Sequence, residues 1–540
     1  MALVGGLVAG AQFQSGSERV AERFAQAWER GNYGAMYRLL SAASRKTYPG
    51  DDFQRAYENA RATSTAMEVR AGESNGTRDG AVRMPIAVRT RIFGTIRGEV
   101  ALPVADEAVV WEPGLAFPGL PRGGRLTRVT EVPTRAKILS AYGRTLAEGP
   151  AEARSSPVDG VGASIAGGME VPDEDDGNDR ARSYARGFPP DTPVGTSGLE
   201  RALQPHVEGR PGGTLSAGNR VLARSEPRRA KPVQSTIDTR VQAAADIALA
   251  GRFGGVAAIE PKTGAILALA GVAFSAPQPP GSVFKIVTTT AALDARKVSP
   301  SKEFPVETEA LIDGVPLSNA NGEACGGTFK DSFANSCNSV FAPLGVEVGA
   351  ERLVATAERF GFNQPPTIAG ALASSLPAAE DISGPLDLGS SAIGQGRVLA
   401  TPLQMASVGQ TIANDGVRLT PTLLRSSTPK RTRVTSARTA NTITGLMEGV
   451  VDYGTGTAAA IDGVRVAGKT GTAELGDTRG PEADFDLADP TNTDAWFTAF
   501  APAGRPRIAL AVLLVRAGAG GAVAAPTAQG VLVAGLKAER

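Results

Sequence analysis

Three short stretches of this chain set hydroxyl, amide and ammonium groups at spacings that chemistry can use. The first is Pro280-Gly281-Ser282-Val283-Phe284-Lys285, followed by the apolar run IVTTTAAL. Pro-Gly closes a loop, and the run that follows reads as a helix. Ser282 then falls in its first turn, and Lys285, one turn on, shares the same face. A half-buried Lys beside a Ser can lose its proton through desolvation and serve as the base that activates the hydroxyl. The helix N-terminus adds backbone N–H groups and a positive dipole end that favour a developing anion. Taken alone, Ser-x-x-Lys arises by chance in many chains, and Ser282 is then an ordinary N-cap.

The second stretch, Ser336-Cys337-Asn338, stands inside an otherwise helical segment. Ser and Asn are poor mid-helix choices unless a site needs their hydroxyl and amide groups; the plainer reading is a helix cap or break. The third, Lys469-Thr470-Gly471-Thr472-Ala473-Glu474, closes a strand-like run. Glycine in a strand allows close backbone approach. Such an edge could pair with an extended peptide, leaving Lys469 and the Thr hydroxyls for a carboxylate. A solvated edge strand is the plainer alternative. A second Lys-Thr-Gly, at 262–264, follows Pro261 in a hairpin turn and precedes Ser282. It is given no chemical role.

Composition narrows the chemistry. The 540 residues contain one His and two Cys, so neither a three-His nor a four-Cys zinc site can be built. A Ser-His-Asp triad could use only His206, so a nucleophile here calls for another base. Basic and acidic residues nearly cancel, 56 against 55, which argues against a general nucleic-acid binder. Hydrophobic residues at 42% mark a globular chain, and 65 Gly with 37 Pro predict many turns. Cys325 and Cys337 lie close enough in sequence for a disulfide, which would need an oxidising compartment; free buried thiols fit the spacing about as well.

The elements that must position these groups fall into segments. Residues 1–13 (MALVGGLVAGAQF) are uncharged and apolar, too short to span a bilayer and without the basic start of a secretory signal. They read as the tail of a membrane anchor, or else as a short buried element. From Gly16, Val20, Phe24 and Ala27-Trp28 recur at helical spacing, and Met36, Leu39 and Leu40 continue after a Gly31-Asn32 break. Strands are expected at 66–69, 81–90 and 95–103. Two or three helices before a curved sheet predict a small α+β domain over 14–123. Residues 124–231 read as an extended connecting domain. Its acidic cluster at 173–176 fails the EF-hand spacing and reads as a solvated loop. From 232 onward, Asp238 is a cap candidate for a helix, 255–260 and 265–270 form a hairpin, and 464–474, 495–501 and 508–515 are further strands. A closing helix is expected at 529–536. Helices between the early hairpin and the late strands predict an antiparallel sheet with helices on its faces.

In this order, Ser-x-x-Lys, Ser-x-Asn and Lys-Thr-Gly resemble the penicillin-binding transpeptidases and serine β-lactamases. STIDTRVQ at 235–242, Gly394-Gln395-Gly396 with the 400–406 stretch ATPLQMA, Gly454-Thr455-Gly456-Thr457 and Ala495-Trp496-Phe497 extend the resemblance over about 232–540. Upstream, 14–123 looks like the NTF2-like N-terminal domain of some class B penicillin-binding proteins. RAKILSAYGRTLA at 135–147 partly resembles their "RGxIxDRxGxxLA" segment, with Ala136 for Gly and Ser140-Ala141 for Asp-Arg. The stretch from Gly195 to Glu200 resembles "GxxGLE" of the pedestal.

The resemblance implies a multidomain α/β and α+β protein. It has an anchor remnant at 1–13, an NTF2-like domain at 14–123 and a mostly-β pedestal or dimerisation domain at 124–231. A transpeptidase domain with an antiparallel sheet flanked by helices follows at 232–540. It implies a peptidoglycan D,D-transpeptidase on the extracytoplasmic face of the membrane, inhibited by β-lactams and needing no cofactor. Its expected partners are stem peptides or a lipid-linked precursor, a membrane glycosyltransferase, and division or elongation proteins. Ser282 would be the nucleophile, Lys285 its base and Ser336 a proton relay. Asn338, Lys469, Thr470, Gly471 and Thr472 would bind substrate, with the backbone N–H groups of Ser282 and Thr472 as the oxyanion hole. A β-lactamase would need a second base for its deacylating water, and no Glu-x-x-Leu-Asn stretch is present. A β-lactam sensor would not need every motif residue intact. Asp494 replaces the His that many relatives carry before Ala-Trp-Phe; the behaviour of surface carboxylates favours a strand cap. The polar stretch 475–493 is long enough for a lid.

Overall fold

A computed structural model describes residues 15–158, 160–173, 177–476 and 489–537. The anchor-like run at 1–13, the acidic residues 174–176 and most of the expected lid, 477–488, lie outside the described residues. Among the described residues no helix is long and apolar enough to cross a membrane.

A capping box starts the fold: Glu18 N–H donates to Ser15 Oγ while Glu18 accepts from Ser15 N–H. Helix α1 (Gly16–Glu29) buries Val20, Phe24, Ala27 and Trp28 on one stripe. Three further helices follow, α2 (Tyr33–Arg38), α3 (Ala42–Thr47) and α4 (Gly50–Ser64), so this segment has four where two or three were expected. They cover an antiparallel sheet of β1 (Ala66–Ala71), β2 (Ala81–Thr90) and β3 (Thr95–Ala105), with two shorter strands. Phe24, Trp28, Phe53, Tyr57 and Trp111 form its aromatic centre, where Trp111 Nε1 donates to Tyr57 OH at 3.0 Å.

The connecting segment is not mostly β. It combines the three-stranded sheet β4 (Leu126–Glu131), β5 (Gly212–Ala217) and β6 (Arg220–Ser225), and short strands at Ile138–Leu139, Thr145–Ala147, Met169–Glu170 and Val194–Gly195, with helices of similar total length at Val161–Ala166, Gly177–Arg186, Gly198–Ala202 and Gln204–Val207. Leu215 of β5 completes the core of the preceding α+β segment. His206, the one histidine, stands in the last of these short helices.

The last segment is built on one five-stranded antiparallel sheet. Asp238 accepts from the N–H groups of Arg240 and Val241 and opens α5 (Thr239–Leu249). The hairpin β7 (Gly254–Ile259) and β8 (Ile266–Gly271) follows. Helices of the central layer come next in the chain, among them α6 (Lys285–Asp294), α7 (Phe329–Ala334), α8 (Asn338–Val348), α9 (Pro402–Ala413) and α10 (Ala437–Asp452). Strands β9 (Ala467–Glu474), β10 (Thr493–Ala501) and β11 (Ile508–Leu514) then return to the sheet, giving the order β8-β7-β11-β10-β9. The closing helix α11 (Gly520–Lys537) starts nine residues before the expected 529, through Gly-rich sequence and Pro526, because the sheet supplies an apolar surface to pack on.

The strands alternate between two cores, as period-2 side chains must. Val256, Ala258, Phe497, Leu510 and Val512 face α5 and α11. Ala257, Ile259, Trp496, Ala511 and Leu513 face Phe284, Val287 and Met405 of the central helices. The edge strand β9 lies along these helices.

Candidate active site

Ser282 sits in a 3-10 turn, Gly281–Phe284, that runs directly into α6. Residues three apart eclipse in a 3-10 turn, so Ser282 and Lys285 are aligned as the sequence predicts. Glycines make the seat possible. Gly281 has φ +51, its N–H donates to Gly394 O at 2.9 Å, and a Cβ on Gly394 would lie 2.1 Å from Gly281 O. This gives Gly394-Gln395-Gly396 a physical role that its sequence alone does not disclose. Ser282 is half-buried and Lys285 wholly buried.

Ser336 stands at a break between two helices, the plainer of the two sequence readings. Helix α7 ends at Ala334, Ser336 takes the left-handed φ of +61, Cys337 is the N-cap of α8 and Asn338 its first residue. Cys325 and Cys337 form a disulfide that ties this break to the strand Cys325–Thr328. The break turns both polar side chains toward α6: Lys285 Nζ donates to Ser336 O at 2.8 Å, to Asn338 Oδ1 at 2.7 Å and to Ser336 Oγ at 3.4 Å.

Lys469, on β9, approaches from the other side. Its Nζ donates to Ser336 Oγ at 2.8 Å and to Thr470 O at 3.1 Å. Register pairs Lys469 with Thr498, Gly471 with Trp496 and Ala473 with Asp494. Gly471 has no room for a side chain, since a Cβ would lie 2.8 Å from Pro280 O. Thr470 and Thr472 are the alternate residues of the strand and meet other elements at its edge. There, Thr470 Oγ1 is 2.5 Å from Thr455 Oγ1, and Thr472 Oγ1 accepts from Gly520 N–H at 3.2 Å. Sequence reasoning singled out the 454–457 motif without a role for it and missed Gly520 altogether.

Proton accounting follows from these distances. Burial pushes Lys285 well below its usual range, and the neighbouring Lys469 adds to the shift. Burial alone lowers Lys469 to about 7. A neutral Lys285 spends two N–H bonds on Ser336 O and Asn338 Oδ1 and keeps a lone pair for a hydroxyl proton. No hydrogen bond joins Lys285 to Ser282 Oγ among the described residues; such bonds in free enzymes commonly tighten only with substrate. Each lysine also stands over a ring, Lys285 5.2 Å from Phe341 and Lys469 5.6 Å from Phe333. These rings stabilise whichever ammonium is charged.

The exposure expected of Asp494 needs revision. Asp494 does cap a strand, but from the interior: it is fully buried, Oδ1 accepts from Arg516 N–H at 2.9 Å just past the end of β11, and Oδ2 has no partner among the described residues. Burial raises its pKa. The described ends of the polar stretch are tied together by Leu475 N–H to Asn492 O at 2.8 Å. Lys262 stays in the hairpin turn, paired with Asp415 at 3.1 Å, apart from this site.

A serine on a helix-entry turn, a buried lysine one turn on, and a second lysine that meets the first at Ser336 form the arrangement that a serine acyl-transferase with a lysine base would need. Residues 254–532 match the family model of the penicillin binding protein transpeptidase domain, and the chain belongs to that family. It is 38% identical over 293 residues to peptidoglycan D,D-transpeptidase PbpA of Mycolicibacterium smegmatis, covering 49% of this chain and 56% of the relative. It is 32% identical over 411 residues to PbpA of Mycobacterium tuberculosis, covering 64% and 80%. The solved penicillin G acyl-enzyme complex of M. tuberculosis penicillin-binding protein A superposes with a TM-score of 0.59 at 27% identity, covering 75% of this chain and 100% of that one. The chain thus spans just over half the length of one of these relatives and four-fifths of the other.

Proposed function

We propose that this chain is a class B penicillin-binding protein and acts as a peptidoglycan D,D-transpeptidase. The observation that carries the reading is the convergence of two buried lysines on Ser336, next to the turn that presents Ser282. Ser282 Oγ attacks the carbonyl of the penultimate D-Ala of a stem peptide while its proton passes to Lys285. The backbone N–H groups of Ser282 and Thr472 take the oxyanion; loss of one such donor costs about a hundred- to a thousandfold in rate. As the tetrahedral intermediate collapses, the C–N bond breaks and Ser336 relays a proton to the departing D-Ala amine. The amine of a neighbouring stem then takes the acyl group and restores Ser282. Asn338 holds the substrate amide, Lys469 supplies positive potential, and Thr470 and Thr472 hold the terminal carboxylate beside Gly471. β-Lactams acylate Ser282 because they mimic the D-Ala-D-Ala end.

In this reading the protein works on the extracytoplasmic face of the membrane. The α+β segment at 14–123 is an NTF2-like spacer, and 124–231 is a pedestal under the transpeptidase domain at 232–540. A membrane glycosyltransferase and division or elongation proteins supply the strands. The test is intact-mass analysis after incubation with penicillin. One stable adduct on the wild-type chain and none on Ser282→Ala is expected. Rapid loss of the adduct with turnover of the drug would instead make the protein a β-lactamase.

A further inference from the structure

The two threonine hydroxyls of β9 each meet a group from another element. Thr472 Oγ1 accepts from Gly520 N–H, at the first turn of α11. Its own hydrogen is thereby turned away from α11. Gly520 must be glycine for this contact, because a Cβ there would lie 2.2 Å from Gly471 O and 2.4 Å from Trp496 O. Thr470 Oγ1 meets Thr455 Oγ1 at 2.5 Å. Thr455 is in turn anchored at Ala334, two residues before Ser336: its N–H donates to Ala334 O at 3.1 Å, and its hydroxyl lies 3.3 Å from the same oxygen. Gly454 lets the loop sit this close, since a Cβ there would be 2.4 Å from Ala334 O.

The Thr455–Thr470 contact holds one hydrogen and has two arrangements. Thr470 can donate to Thr455, which then donates to Ala334 O. Alternatively Thr455 donates to Thr470, and the Thr470 hydrogen is free. Ala334 O is already satisfied by the Thr455 N–H, so the second arrangement gives up only the longer 3.3 Å bond. A carboxylate in the cleft accepts hydrogens and donates none, so it selects the second arrangement.

We propose that Thr455 is a positioning residue for the substrate's terminal carboxylate: by donating to Thr470 it presents the Thr470 hydroxyl as a donor, as Gly520 N–H does for Thr472. The proposal rests on the transpeptidase reading above.

The test compares acylation by penicillin G with acylation by its methyl ester, in which the carboxylate is blocked, on the full chain. Wild type must form the Ser282 adduct with penicillin G; no adduct there removes the transpeptidase reading and the proposal with it. Thr455→Val is expected to slow acylation by penicillin G about five- to tenfold, the effect of losing one hydrogen bond, while the ester rate stays within about twofold of wild type. Thr455→Ser is expected to restore the preference for the free acid. The ratio of the two rates is read per folded molecule, so it survives a partial loss of stability, and Thr455→Ala should give the same ratio. An equal loss with both probes, an unchanged ratio, or a Ser variant as unselective as Val would overturn the proposal.

Discussion

Lys469 Nζ donates to Ser336 Oγ at 2.8 Å although 133 residues separate them. Lys285 reaches the same serine through its backbone carbonyl, also at 2.8 Å. Two amines that share one hydroxyl cannot both be charged without mutual repulsion, so their titrations belong to the pair. The Lys285 pKa lies well below its usual range and that of Lys469 near 7, each mainly through burial. The second-order rate of acylation should therefore have an alkaline limb near pH 7, as Lys469 loses its charge, falling about tenfold per pH unit in the limit. Lys469→Arg, which keeps its proton, should remove that limb. A limb at the same pH in the Arg variant would assign it elsewhere.

The same shifts fix a sign for stability. Between about pH 7 and the ordinary lysine value the unfolded chain binds a proton that the folded chain does not. Stability must then rise with pH across this window through these two groups, and their full penalty applies below the folded values. Melting temperatures of wild type and Lys469→Met, measured from pH 6 to 10 (a range set by the usual lysine pKa near ~10.4), should converge as pH rises. Parallel curves would contradict the assignment.

Glu200 sits wholly buried between two guanidinium groups, Arg135 at 2.6 Å and Arg154 at 2.8 Å. Glu200→Ala leaves two buried cations without their counter-ion, an effect of about 3–5 kcal/mol. Denaturant midpoints should show it, while penicillin acylation of the folded fraction stays near wild type. A loss below about 1 kcal/mol would mean water reaches the cluster.

The disulfide closes a short loop, 12 residues apart in sequence, that contains Ser336. Replacing Cys325 and Cys337 together by Ala should cost about 3 kcal/mol of stability. It should also slow acylation, because the bridged Cys337 directly follows Ser336, whose φ is +61. Urea unfolding and acylation rates, measured on the same samples, separate the two effects.

Gly394→Ala forces a Cβ to within 2.1 Å of Gly281 O at a φ of +77. The expected cost is about 1–3 kcal/mol for overpacking, with acylation at Ser282 at least about tenfold slower, since a displacement of about 1 Å in the reacting groups is enough. Gly463→Ala is the control: its φ is +73, but nothing lies within 4 Å of its Cβ. It should lose stability and keep its acylation rate.

The sequence by itself determined what is local. Three-residue spacing at a helix start aligns Ser282 with Lys285, and Asp238 caps its helix where expected. The tertiary structure alone decided what depends on residues far along the chain. Local sequence left Ser336 between a mid-helix position and a break; the left-handed φ that settles it belongs to the folded chain. Sequence alone read Asp494 as exposed because burial comes from the return of β10 and β11 into the sheet. It left Thr455 and Gly394 as motifs without roles, since their partners, Thr470 and Gly281, are brought to them only by folding. The lowered lysine pKa values belong to the same class. Desolvation is a property of the packed interior, and no lysine carries it in its own sequence neighbourhood.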